Sequence, residues 1–464
     1  MKRHASILLI AIVASLLAAC GGAANTTTTG GAATTGPATG GAATAETAAT
    51  TAATAETEAT TAATAETEAT TAATAETGAT TAATAQAGTG TLPDVSGLDL
   101  GTIKIASQSP LSGPQSALGT GIRNAAELAV EQVGDKLGFT DLQFVPYDDQ
   151  ATPDVGASNA NQIAADQDIL CVAGHLNSGV ALAALPTYKS ANLTMVSPAN
   201  TNIRITDEFA GTAYRVVGRD DVQAPVAAQF AADQGYKNVY ILHDKTDYGL
   251  GVAEAFRSKA EELGLTISGF EGTDEKAVFD AVLNPVLAAQ PDAVLWGGIY
   301  SEGGPLLKQM RDKGIQAKFL GTDGLDNSEL ARLAGEAVIG VQYTTVAGPP
   351  SEYPASAQLA KDYQAKFNAP APAFAPQGYD SAAICLTAVA IAAQDAGGKP
   401  TRQQVNEAIK RLGTYEGVTG TVTFDEKGDR VPATYFILEV TSGDPAEFGN
   451  SRIVSKLELG PTGD

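Results

Sequence analysis

From about residue 95 onward, short apolar runs alternate with longer stretches that mix apolar and polar positions. Ile103-Lys104-Ile105-Ala106 opens the series, a Gly-containing loop follows, and apolar positions at Ala125, Leu128, Ala129 and Val133 then fall at helical spacing. Runs at 142–145, 169–172, 193–196, 239–242, 293–296 and 318–321 repeat the scheme. Runs this short and this continuously apolar suit strands buried on both faces, and the intervening stretches of about 10–15 residues suit helical crossovers. The pattern predicts an α/β architecture with parallel sheets. The 370 residues after Asp94 (464 less 94) exceed what one such sheet organises, so two doubly wound lobes are expected.

The first ninety or so residues have a different texture. Lys2 and Arg3 precede an apolar run from Ile7 to Leu17, and Ala18-Ala19-Cys20 follow. A permanent span takes about 20 apolar residues, so this reads as a secretory leader. Its ending, Leu17-Ala18-Ala19-Cys20, resembles a bacterial lipobox, which would make Cys20 the lipidated first residue of the mature chain. From Gly21 to about Thr91 the chain is almost wholly Ala, Thr, Gly and Glu, and a block beginning at Thr51 recurs with small changes from Thr61, Thr71 and Thr81. The copies carry no large side chain to bury against a neighbour, which excludes a solenoid and predicts a disordered tether. By square-root scaling such a tether would span roughly 45–50 Å.

Charge narrows the choice of partner. Across the chain 29 Lys and Arg face 52 Asp and Glu; without Lys2, Arg3 and the six glutamates before Asp94, 27 bases still face 46 acids. An acidic body with no basic tract is unsuited to nucleic acid. Of three cysteines only Cys171 and Cys385 lie in the body, each among apolar residues, and both are expected to be small unpaired buried side chains. His4, His175 and His243 are isolated, so neither a metal site nor a cofactor is expected. Gly119-Thr-Gly121 lacks the remainder of a dinucleotide fingerprint, and neither a P-loop nor a serine nucleophile elbow is present, so an enzyme is not expected. The pairs Asp148-Asp149 and Asp220-Asp221 read as solvated or capping residues in turns.

Ligands of parallel sheets bind at the carboxyl ends of the strands, where helix N-termini expose free N–H groups. Three loops there carry small polar residues: 107–114, 174–179 and 197–201. Each alone suits an ordinary turn or cap, and together they favour a pocket for an anion such as a carboxylate.

Several segments, taken in order, resemble the branched-chain amino acid binding proteins of ABC transporters, which have the type I periplasmic binding protein fold. They are Pro110-Leu-Ser-Gly-Pro114, Tyr147-Asp-Asp149, Gly174-His-Leu-Asn-Ser178, Ser197-Pro-Ala199, His243-Asp-Lys-Thr-Asp-Tyr-Gly249, Trp296-Gly-Gly298, Gly321-Thr-Asp-Gly324 and Gly420-Thr-Val-Thr-Phe-Asp-Glu-Lys-Gly428. The resemblance implies two lobes joined by three crossings, near Val217, near Val346 and between Gly417 and Pro432. Lobe 1 would hold 95–217 and 348–418, and lobe 2 would hold 218–347 and 419–464, behind a leader at 1–20 and a tether at 21–94. It implies that Ser178 and Thr201 hold the ligand carboxylate, that the Ala199 carbonyl and Asp323 meet its ammonium, and that Tyr248 closes over it. Leu118 and Ile299 stand where relatives place aromatic side chains, with Tyr300 and Trp296 close by, and the disulfide of some relatives is replaced by Ala151 and Asn177. Asn177 would face the ligand side chain, unless it turns to cap the helix beginning at Ser178. The implied function is capture of an amino acid and its delivery to an ABC transporter permease, by a monomer held to the membrane through Cys20. The rival reading is a sensor of an amide or amino acid in an extracytoplasmic signalling system, and the absence of any fused signalling segment favours transport.

Overall fold

The protein is described here by a computed structural model covering residues 92–460. The expected leader, the lipidation site Cys20 and the tether up to Thr91 lie outside the described residues.

All seven apolar runs fall on strands. The first sheet is built from β1 (Ile103–Ser109), β2 (Leu142–Asp148), β3 (Ile169–Gly174), β4 (Thr194–Ser197) and β5 (Ala213–Arg215). Between them run α1 (Ser116–Leu137), α2 (Pro153–Ala165), α3 (Ser178–Ser190) and the short α4 (Arg204–Asp207). The strand order is β2-β1-β3-β4-β5, and every pairing is parallel. Because crossover helices cover both faces, β3 and β4 are buried at every residue, which is why they read as unbroken apolar runs.

The chain then enters a second unit: α5 (Asp220–Asp233), β6 (Asn238–His243), α6 (Asp247–Glu262), β7 (Thr266–Gly272), α7 (Asp280–Ala289), β8 (Ala293–Gly297), α8 (Tyr300–Asp312), β9 (Lys318–Gly321), α9 (Glu329–Ala334) and β10 (Gln342–Thr345). It returns to the first sheet with α10 (Ser356–Phe367), α11 (Ala375–Ala396) and α12 (Arg402–Arg411), makes a hairpin of β11 (Thr414–Gly417) and β12 (Gly420–Thr423), and ends with β13 (Ala433–Glu439) and β14 (Arg452–Leu459). The second sheet is ordered β14-β13-β10-β9-β8-β6-β7. It is parallel from β7 to β10 and antiparallel at β10-β13 and β13-β14, where the expectation was of parallel sheets alone.

α11 corrects the reading of the cysteines. This almost wholly buried helix lies along α1 and over β3, and there Cys385 meets Cys171. The two form a disulfide, with Cα atoms 5.7 Å apart and a sequence separation of 214. Both are buried, as expected. Their pairing depends on a return of the chain that neither local sequence reveals.

Three crossings connect the two sheets, after β5, after β10 and after β12. The first and third run side by side. Asp429 receives ion pairs from Arg215 at 2.6 Å and Arg219 at 2.7 Å, and the Arg430 guanidinium donates to the carbonyls of Val216 and Thr419, both at 2.9 Å. All four charged groups are buried, so Asp429 and the two arginines that meet it compensate one another, while Arg430 is satisfied by backbone carbonyls.

Candidate functional site

Between the two sheets lies a small cavity lined by residues of both. On the side of the first sheet it is lined by Leu118 in the first turn of α1, by Leu176, Asn177 and Ser178 between β3 and α3, and by Ala199 after β4. From the second sheet come Tyr248 in the first turn of α6, Ile299 before α8, and Asp323 and Gly324 after β9; Phe374, just before α11, completes the wall. Apart from Phe374, these are loops and helix starts following parallel strands, where the sheets turn their carboxyl ends toward each other.

The loops on the first side are fixed by one buried amide. Asn200 Nδ2 donates to the Leu176 carbonyl at 2.9 Å, while its Oδ1 accepts from the backbone N–H of His175 at 3.2 Å and from the Ser197 hydroxyl at 2.9 Å. Arg215 adds hydrogen bonds to the Asn200 and Asn202 carbonyls. Ser178 is therefore held at the start of α3, where unpaired backbone N–H groups and the helix dipole favour an anion.

The opposite side is acidic. The Tyr248 hydroxyl donates to Asp323 Oδ1 at 2.8 Å and accepts from the Gly324 N–H at 2.9 Å. Gly324 is required to be small, since a Cβ there would strike the Gly298 carbonyl and crowd the Tyr248 ring. Burial pushes the Asp323 carboxyl up to about 7. Asp220 at the start of α5 is also buried, neither of its oxygens has a hydrogen-bond partner, and burial together with the Asp323 charge holds it well above the usual carboxylate range. This overturns the reading of Asp220 as a solvated or capping residue. The arrangement offers a helix N-terminus on one wall and the Asp323 carboxyl on the other.

Seven of the nine ligand-site residues singled out from sequence line the cavity: Leu118, Asn177, Ser178, Ala199, Tyr248, Ile299 and Asp323. Thr201 and Tyr300 do not. Thr201 is buried beside them, with its Oγ1 unpartnered. Tyr300 was expected in the wall; instead its hydroxyl donates to the Pro114 carbonyl at 2.9 Å and bridges loops of the two sheets. Asn202 and Arg204 make a second bridge, to the Asp247 carbonyl at 2.7 Å and its carboxylate at 3.1 Å. Asn177 precedes α3 without capping it: Nδ2 donates to Gln115 Oε1 at 2.7 Å, and Oδ1 is buried without a partner. Of the lining residues, sequence reasoning missed Leu176, Gly324 and Phe374, and it also missed the buried Asp220. Leu176 lies inside a quoted motif, whereas Phe374 is a lone aromatic in a Pro/Ala-rich segment with no periodicity to expose it.

Known proteins agree with this geometry. Residues 102–445 match the family described as periplasmic binding protein. The chain is 36% identical over 327 residues to a Leu/Ile/Val-binding protein homolog of Brucella abortus, covering 69% of this chain and 85% of that one. It is 32% identical over 333 residues to a leucine-, isoleucine-, valine-, threonine- and alanine-binding protein of Pseudomonas aeruginosa, covering 71% and 87%. The crystal structure of a leucine binding protein, LivK, from Thermotoga maritima superposes with a TM-score of 0.68 at 26% identity, covering 77% of this chain and 99% of that one. Two α/β lobes that turn the carboxyl ends of their parallel strands toward a shared cavity, together with these matches, make the chain a member of the periplasmic binding protein family, whose members bind solutes rather than transform them.

Proposed function

We propose that this protein captures an amino acid, branched-chain or related, between its lobes and delivers it to the permease of an ABC importer. The observation that carries this reading is the opposition across one small cavity of the α3 N-terminus at Ser178 and the acidic group Asp323-Tyr248, with Asp220 behind it. A zwitterion leaving water needs both charges met by charge-assisted hydrogen bonds, and a helix N-terminus facing a carboxyl supplies one partner for each. Ser178 and Thr201 would serve the carboxylate, and the Ala199 carbonyl and Asp323 the ammonium. Leu118, Asn177 and Ile299 would line the side-chain end. Lobe 1 is assigned to 95–217 and 348–423, and lobe 2 to 218–347 and the chain after the third crossing; the expected boundary at 418 moves past the hairpin because β12 pairs with β11 and Val422 joins the core of the first lobe. The inter-lobe bonds of Tyr300 and Asp247 would form as the lobes close, and the closed monomer would be what the permease meets.

Cys20 is proposed as the membrane anchor, placing the body outside the cytoplasm. Two experiments test this function. A thermal-shift screen of the L-amino acids should raise the melting temperature with at least one of them, and no response to any would remove the reading. Cys20→Ala should release the protein from the membrane fraction; retention there would exclude the lipid anchor.

A further inference from the structure

Four of the residues lining the cavity, Leu118, Leu176, Ile299 and Phe374, are apolar, and they form the wall a ligand side chain would meet. The polar groups among the rest are mostly committed. Tyr248, Asp323 and the Gly324 N–H satisfy one another, and the Ser178 hydroxyl accepts from the Asn202 N–H at 3.4 Å. Asn177 differs. Its Nδ2 is taken by Gln115 Oε1 at 2.7 Å, which ties the starts of α1 and α3 together and fixes the orientation of the amide. Its Oδ1 is sealed from solvent and accepts from nothing.

A sealed carbonyl acceptor without a donor is costly, and a ligand that supplies the donor recovers that cost. We infer that Asn177, positioned by Gln115, selects an amino acid whose uncharged side chain carries a hydroxyl or carboxamide donor over the aliphatic amino acid of the same shape. This rests on the amino-acid reading above and deepens it, because the apolar wall accepts the body of the side chain while Asn177 discriminates its tip. A site built to receive one hydrogen bond discriminates strongly against the analogue that lacks it, since the buried group is then left unpaired.

Two nearly isosteric pairs test the inference on the full chain: threonine against valine, and asparagine against leucine, each titrated calorimetrically. In at least one pair the donor-bearing member should bind about tenfold or more tightly. Asn177→Leu should abolish or reverse that preference, and Gln115→Ala, which frees the amide to turn, should reduce it. Valine and leucine binding as tightly as their partners in the parent protein would overturn the inference, as would a preference that survives in Asn177→Leu. If Asn177→Leu does not fold, the parent's two ratios decide alone. Failure of every amino acid to bind would instead remove the function on which the inference rests.

Discussion

Asp323→Asn removes a charge while keeping shape and the acceptor for Tyr248, and its effects on stability and on binding should have opposite signs. In the free protein burial pushes the Asp323 carboxyl up to about 7, against 3.8 for the free side chain. A carboxyl whose folded value lies above its unfolded one opposes folding once it ionises. That cost is absent below about pH 4, grows between about pH 4 and 7, and is complete above, where the interval corresponds to on the order of 4 kcal/mol. Asparagine carries no such cost. At about pH 8 the variant should therefore resist urea better than the parent, by roughly 1–4 kcal/mol after relaxation, and at about pH 4 the two should agree within about 1 kcal/mol. Binding should move the other way, because an ammonium buried without its counter-charge loses about 3–5 kcal/mol, more than a hundredfold in affinity. Urea unfolding at the two pH values and calorimetry at the higher one measure both. A variant that gains no stability at high pH and keeps its affinity would refute the assignment.

Three further outcomes follow from the same structure. With Asp323 titrating at about 7 in the free protein, capture of an ammonium expels a proton, so affinity should weaken by about tenfold per pH unit below that point; a flat profile between about pH 5 and 7 would contradict it. Tyr300→Phe removes the hydroxyl bond to the Pro114 carbonyl and should weaken ligand binding by about 0.5–1.5 kcal/mol while leaving Tm in the absence of ligand nearly unchanged, whereas equal losses with and without ligand would show that the bond does not report closure. Reducing the Cys171–Cys385 disulfide should lower stability by about 2–5 kcal/mol, read as the fall in Tm on adding a thiol reductant, and free thiols at both positions in the unreduced, denatured protein would exclude the bond.

The parallel strands were legible because burial on both faces writes itself into sequence as an unbroken apolar run, as in β3 and β8. β7 and β10 were not. β7, Thr266–Gly272, is an edge strand with no residue buried, and β10 is buried but reads Gln-Tyr-Thr-Thr, its polar side chains absorbed by partners such as Asp326 and Glu439. β5 has only three residues. The antiparallel β13 and β14 close the second sheet after the chain has left and returned, and no local pattern records that return. The same blindness to distant neighbours hid the disulfide and Asp220, because an aspartate beside Asp221 in a turn looks solvated until Thr201 and Asp323 are seen around it. The cavity residues that were found sit in short motifs at strand ends, where position along the chain and position in the fold coincide. Phe374 reaches the cavity from the loop between α10 and α11, and its sequence surroundings carry no trace of that.

The cavity is proposed to recognise both charges of one α-amino acid. This is tested most directly by comparing the amino acid that binds best in the parent protein with its N-acetyl derivative and its methyl ester, by equilibrium titration of the full chain. The free amino acid should bind saturably, and each derivative should bind at least a hundredfold more weakly, by about 3 kcal/mol, since one removes the cation met by Asp323 and the other the anion met at Ser178. Derivatives that bind as tightly as the parent amino acid would contradict the account.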